Sequence, residues 1–272
     1  MDHFVRDISP ITTFVDGVAH GRQTRPPGGA PVQVWVTEMN INPANAASRF
    51  GVTAGDRVHM QAKSTLRTLA SFVGKGVSNV YMYAVGGGSY ALVDGSFFTK
   101  LDQTGVYPGD RAGGEVLDAV KRLTDGFAGA VAPAHPRSLS LLRVGDYAGN
   151  VQFAGDGSAD HPPLYNRDVL AFLPFQVKPD RFVTAVYVMT SNVATNYKPG
   201  APNTDPTRFD MPPETYRLTI GGTNAVGALV SATDPLTGQT VPVTVVSAAP
   251  DRLVVELPVT DSPRLLTIDE AG

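Results

Sequence analysis

The sequence predicts an α/β segment followed by an all-β segment, and three observations carry that expectation. A helical apolar period sits between two short apolar runs in the first 130 residues. That period disappears from Pro133 onward, where short alternating segments separated by turn residues take over. Glycine (28) and proline (22) punctuate all 272 residues, as in chains rich in turns and short strands.

The first element is PVQVWVTEMNI. Its apolar stretch at 32–36 reads as a strand buried on both faces. After a loop, Val58, Ala62, Leu66, Leu69 and Val73 recur at the spacing of one helix face. Thr53 and Asp56 form a capping-box pattern with Asp in place of Glu, and Gly74 and Gly76 stop the helix. SNVYMYAV (78–85) is a second buried strand. Two strands joined by a helix make a βαβ unit, whose crossover is right-handed in about 98% of cases. Val116, Leu117, Val120 and Leu123 mark a further helix ending at Gly126, and residues 8–23 mark a short one upstream. Two parallel strands cannot by themselves form a sheet buried on both faces, so the α/β part reads as incomplete.

Seven alternating runs follow, at 138–144, 168–177, 181–190, 215–222, 239–247, 252–259 and 263–269. Their number and spacing point to an antiparallel β-sandwich. The one long connection, 192–214, is polar and proline-rich. A boundary near 132/133 therefore divides the chain into an α/β part (1–132) and a sandwich (133–272).

Composition excludes several function classes. Twenty-two Lys and Arg against 25 Asp and Glu leave a net charge of −3, with no basic surplus for nucleic acid. The absence of cysteine removes thiol nucleophiles, disulfides and Cys-based metal centres. No apolar run reaches the ~20 residues of a membrane span. The opening MDHFVRDISP has neither the basic nor the apolar region of a secretory signal. Export stays open if a natural N-terminal part precedes it. Charged residues make up only 17%, against extended disorder.

The most informative string is Val34-Trp35-Val36-Thr37-Glu38-Met39-Asn40, an apolar strand ending in a glutamate. In barrel-type sheets the C-terminal strand ends carry the catalytic groups. Here the sequence resembles the retaining glycoside hydrolases of the (β/α)8-barrel kind, the clan that includes xylosidases, mannosidases and cellulases. Their seventh strand reads much like VWVTE and ends in the nucleophile. NVYMYAV with the loop GGGSYALVDGSFF resembles their eighth strand. The segments DPLTGQTVPVTV and PRLLTI resemble the β-sandwich that trails the barrel in several of these families. The resemblance covers most of the chain and implies a partial (β/α) barrel, its last strands and helices, followed by the sandwich.

It also implies Glu38 as nucleophile. His3, in a remnant of the sixth strand, would then contact substrate, as would Asn40 and Tyr90 and, as a stacking platform, Trp35. The residues by themselves leave alternatives open. Trp35 in an apolar strand equally reads as core packing, and Asn40 as a loop residue. Retaining hydrolysis needs a second carboxyl group about 5–5.5 Å from the first, normally following an Asn. The five glutamates are Glu38, Glu115, Glu214, Glu256 and Glu270, and no Asn-Glu pair occurs.

The glycines at 86–88 lack the Lys-Ser/Thr of a phosphate loop. The five histidines have no metal-binding spacing, and no G-x-S-x-G elbow is present. No metal and no cofactor is expected. Three readings follow: a glycosidase part that takes a carbohydrate substrate, a non-catalytic carbohydrate-associated module, or a fragment without activity. An unpaired barrel edge would also promote association.

Overall fold

The computed structural model describes residues 33, 35–86, 88–106, 114–131, 133–145, 147–194 and 196–271. His3, Val34 and the helix expected at 8–23 lie outside the described residues.

Strand β1 (Trp35–Met39) is followed by one helical turn at Pro43–Ala46 and by the long helix α1 (Ala54–Gly74). β2 (Asn79–Met82) then pairs with β1 in parallel, so the βαβ unit is present. The helix starts where the capping box predicts. The Thr53 hydroxyl accepts from the Asp56 backbone, and the Asp56 carboxylate accepts from the Thr53 backbone at 2.8 Å. Helices α2 (Gly95–Thr104) and α3 (Glu115–Asp125) follow.

The rest is antiparallel: β3 (Ser140–Val144), β4 (Val151–Phe153), β5 (Leu164–Tyr165), β6 (Leu170–Lys178), β7 (Arg181–Val188), β8 (Glu214–Gly221), β9 (Leu229–Thr233), β10 (Thr240–Val241), β11 (Thr244–Ala249), β12 (Arg252–Val259) and β13 (Arg264–Asp269). They form a five-stranded sheet ordered β10-β9-β13-β7-β6, a four-stranded sheet ordered β11-β12-β8-β3, and the small β4-β5 pair. Among the described residues no barrel closes. The parallel sheet has two strands.

The molecule is layered. Side chains alternate across a strand, and β7 serves two interiors at once. Phe182, Val186 and Val188 enter the core between the two large sheets, with Tyr216, Leu218 and Ile220 of β8 and Leu253, Val255 and Leu257 of β12. Val183, Ala185 and Tyr187 face the other way, against Ala62, Leu66 and Ala70 of α1 and Val116 and Ala119 of α3. The helices thus cover the outer face of the five-stranded sheet.

Two expectations need correction. The strands at 32–36 and 78–85 were expected to be buried, yet Trp35, Tyr81, Tyr83 and Val85 are about half exposed or more, and Thr37 and Glu38 are exposed beside Trp35. Val36, Met39, Val80 and Met82 pack on Phe72 and Val77, and no second layer covers the other side among the described residues. The second concerns α1, whose Leu66, Leu69 and Val73 are expected, as the stripe of a βαβ helix, to be buried against the two strands. Leu66 and Leu69 belong to the cluster built with α2, α3 and the five-stranded sheet, which the parallel pair joins through Met82, and Val73 is exposed.

The connection 192–214 is no plain polar linker. It carries a 3-10 turn at Pro206–Phe209 and buries Arg208, Phe209 and Met211. Lys63, fully buried on α1, donates to the Phe209 carbonyl (2.9 Å), to Asp210 (3.0 Å) and to Asp261 (2.8 Å). Arg208 reaches both carboxylate oxygens of Asp56, at 3.0 and 2.6 Å. Burial pushes the Asp56 carboxyl up, but the bonds from Arg208 and Thr53 outweigh it and hold the group below its usual range.

Candidate functional site

Glu38 is the penultimate residue of β1, within an irregularity of the β1–β2 register between Val36 and Met39. With Met39, Asn40, Tyr83 and Tyr90 it lines an open concavity of about 490 Å³. Asn40 leaves the end of β1, Tyr83 leaves the end of β2, and Tyr90 closes the turn Gly88–Tyr90. Both strands run the same way, so their C-terminal ends share one rim. The glutamate, the asparagine and the loop tyrosine singled out in the sequence therefore meet in one place.

Asn40 has a specific part there. Its Nδ2 donates to the carbonyls of Tyr83 and Tyr90, the latter at 2.6 Å. Its Oδ1 accepts from the Ile41 backbone at 2.7 Å and from Gln61 Nε2 on α1. An asparagine amide has two donor hydrogens and two acceptor lone pairs, and all four are committed to the fold. The side chain ties β1, the Tyr83–Tyr90 rim and α1 together, leaving no free group for a sugar hydroxyl or for the Glu38 carboxylate. Gln61 was not singled out in the sequence. The only signal was a polar residue next to Ala62 on the apolar face of the helix.

Trp35 lies apart from the concavity lining. Its Nε1 donates to Gln33 at 2.9 Å, and its ring stands 6.1 Å from that of Tyr81. The pair presents exposed aromatic surface on the uncovered side of the sheet. Tyr83, also missed in the sequence, follows Tyr81 by two residues. The alternating aromatics of YMY were the available clue.

The remaining glutamates are distant in role. Glu115 opens α3, Glu214 and Glu256 belong to sandwich strands, and Glu270 binds Arg137. Among the described residues no group of three His, Asp or Glu stands close enough to hold a metal ion, and no helix is long and apolar enough to cross a membrane. His59 contacts Asp210 at 2.8 Å and so belongs to the helix–sandwich contact.

Comparison with protein-family models, with curated proteins and with solved structures found no match to this chain.

Proposed function

We propose that this chain carries the nucleophile side of a retaining glycoside hydrolase, with Glu38 as the attacking carboxylate. One observation carries the reading. An exposed glutamate at the C-terminal end of a parallel strand opens onto a concavity walled by two tyrosines from the neighbouring strand's end and its loop. Aromatic walls suit the apolar faces of a sugar ring, and strand C-termini are where such sheets hold their reactive groups. In this reading the second carboxyl group, the general acid/base, comes from outside the described residues. Glu38 is the only carboxylate among the described residues that line the concavity. That same observation favours the second reading, a carbohydrate-associated module that binds without cleaving.

An activated glycoside separates the two, because a dinitrophenolate leaving group departs without a proton donor. The full chain is incubated with 2,4-dinitrophenyl 2-deoxy-2-fluoro glycosides of xylose, glucose and mannose. Attack of the Glu38 carboxylate on C1 forms a glycosyl ester and expels dinitrophenolate. The expected result is a mass increase on the peptide containing Glu38, absent in Glu38→Gln. A chain left unlabelled by all three reagents, or a Gln variant labelled equally, overturns the nucleophile assignment.

A further inference from the structure

The outward face of the four-stranded sheet bears a second concavity, of about 470 Å³, that shares no lining residue with the one around Glu38. Strand pairing builds its floor. Arg217 of β8 stands directly opposite Glu256 of β12, and Arg143 of β3 opposite Thr219 of β8. Side chains two apart on a strand share a face, so Thr215, Arg217 and Thr219 make a polar row of about 14 Å. Arg217 donates twice to a single oxygen, Glu256 Oε1, at 3.1 and 2.6 Å. That fork spends Nε and Nη2 on one oxygen, and Nη1 points away from it across the guanidinium, so the pair presents an acceptor at Glu256 Oε2 and, apart from it, a donor at Arg217 Nη1. Hydroxyls spread along a sugar ring, each able to accept and to donate, can meet both groups.

Tyr147 closes one end of the row. It is 49% exposed, yet its ring is held. The ring meets Tyr216 edge-on at 5.6 Å, and its phenol lies beside the Glu214 carboxylate. That carboxylate is itself fixed by the Tyr216 hydroxyl at 2.6 Å and by Asn166 at 2.9 Å. Gly145 brings this segment down onto the sheet, where its N–H donates to the Arg217 carbonyl at 2.8 Å. A Cβ at Gly145 would stand 3.1 Å from that of Arg217, so a larger residue would lift Tyr147 off the row. An exposed aromatic ring that is already positioned loses little freedom when it binds.

We propose that this concavity is a second binding site, for a carbohydrate chain, with Tyr147 stacked on one sugar ring and the Arg217–Glu256 pair bonded to the hydroxyls of a neighbouring one. The open, elongated shape suits a chain more than a compact metabolite. The site is independent of Glu38, and an exposed ion pair of this kind contributes little to folding, so its variants keep the fold.

The test is electrophoresis of the full chain through gels containing arabinoxylan, galactomannan, mixed-linkage β-glucan or polygalacturonate. Retardation is expected in at least one gel. Its affinity should fall by up to about tenfold in Tyr147→Ala, the loss of one stacked ring, and also fall in Arg217→Ala. It should persist in Tyr147→Phe and in Glu38→Gln. Unretarded migration in all four gels, or retardation unchanged in both Tyr147→Ala and Arg217→Ala, overturns the site.

Discussion

On one flank of α1, Asp56, Lys63 and Arg67 are completely buried, and each meets partners from the 190–211 segment or from Asp261. On the other flank, β1 and β2 lean on Phe72 and present Trp35, Tyr81 and Glu38 to solvent. The same helix thus separates a finished interior from an open working surface. Buried charges are costly to desolvate, and they persist only where partners and further hydrogen bonds are complete. Asp56 and Lys63 meet that condition, and their pairings fix α1 on the sandwich. Gln61 projects from the fixed helix to Asn40, so the rim around Glu38 is positioned from the sandwich side rather than by its own small sheet.

Lys63→Ala should break this contrast most severely. It leaves the buried Asp261 without its cation and the partly buried Asp210 with His59 alone, and removal of one partner of a buried pair costs about 3–5 kcal/mol. Denaturant unfolding measures the loss. A change below about 1 kcal/mol would show that the closed flank does not anchor the helix.

Acid sharpens the comparison with a smaller effect. Burial pushes the Asp210 carboxyl up, but Lys63 and His59 prevail and hold it at about 2 against an ordinary 3.8. A carboxyl with a lowered folded-state pKa contributes stability above its unfolded value and loses that share as pH falls through the folded value. The contribution, about 2 kcal/mol, should be complete above about pH 5 and vanish progressively toward pH 2. Asp210→Asn should be less stable than wild type at neutral pH and converge on it near pH 2. Parallel stability curves down to that pH would contradict the assignment.

The open flank should barely respond. Trp35→Ala removes an exposed ring, and surface changes of this kind stay within about 0.5 kcal/mol. A loss above about 2 kcal/mol would mean that this face is covered.

What the sequence disclosed follows from range. α1 was legible because its cap residues are three apart and its apolar face repeats. The second task of Asp56, pairing with Arg208 across 152 positions, left no local trace. For the same reason 192–214 read as a polar connection although its Arg208, Phe209 and Met211 are interior. α2 was missed after the glycine-rich loop, even though Asp94 caps it by accepting from the Ser96 backbone at 2.9 Å. β4 and β5 are too short to show alternation, and β9 also went unread. The run at 239–247 proved to be two strands, β10 and β11, divided at Pro242 and Val243, since proline cannot donate to a ladder. At the site, the position of Glu38 could be read from its strand. The commitment of Asn40 could not, because three of its four partners lie 21 to 50 residues away.

The contact between Lys63 and Asp261 also sets an order of events during synthesis. The two residues are 198 positions apart, so at 5–20 residues per second the helix emerges from the ribosome about 10–40 s before its last carboxylate partner exists. Through that interval α1 must keep a lysine and an arginine in water on the face that later becomes interior. Those charges keep the nascent helix soluble while its apolar stripe waits for β7. The cation that anchors the finished protein is thus solvated until the last strands are made.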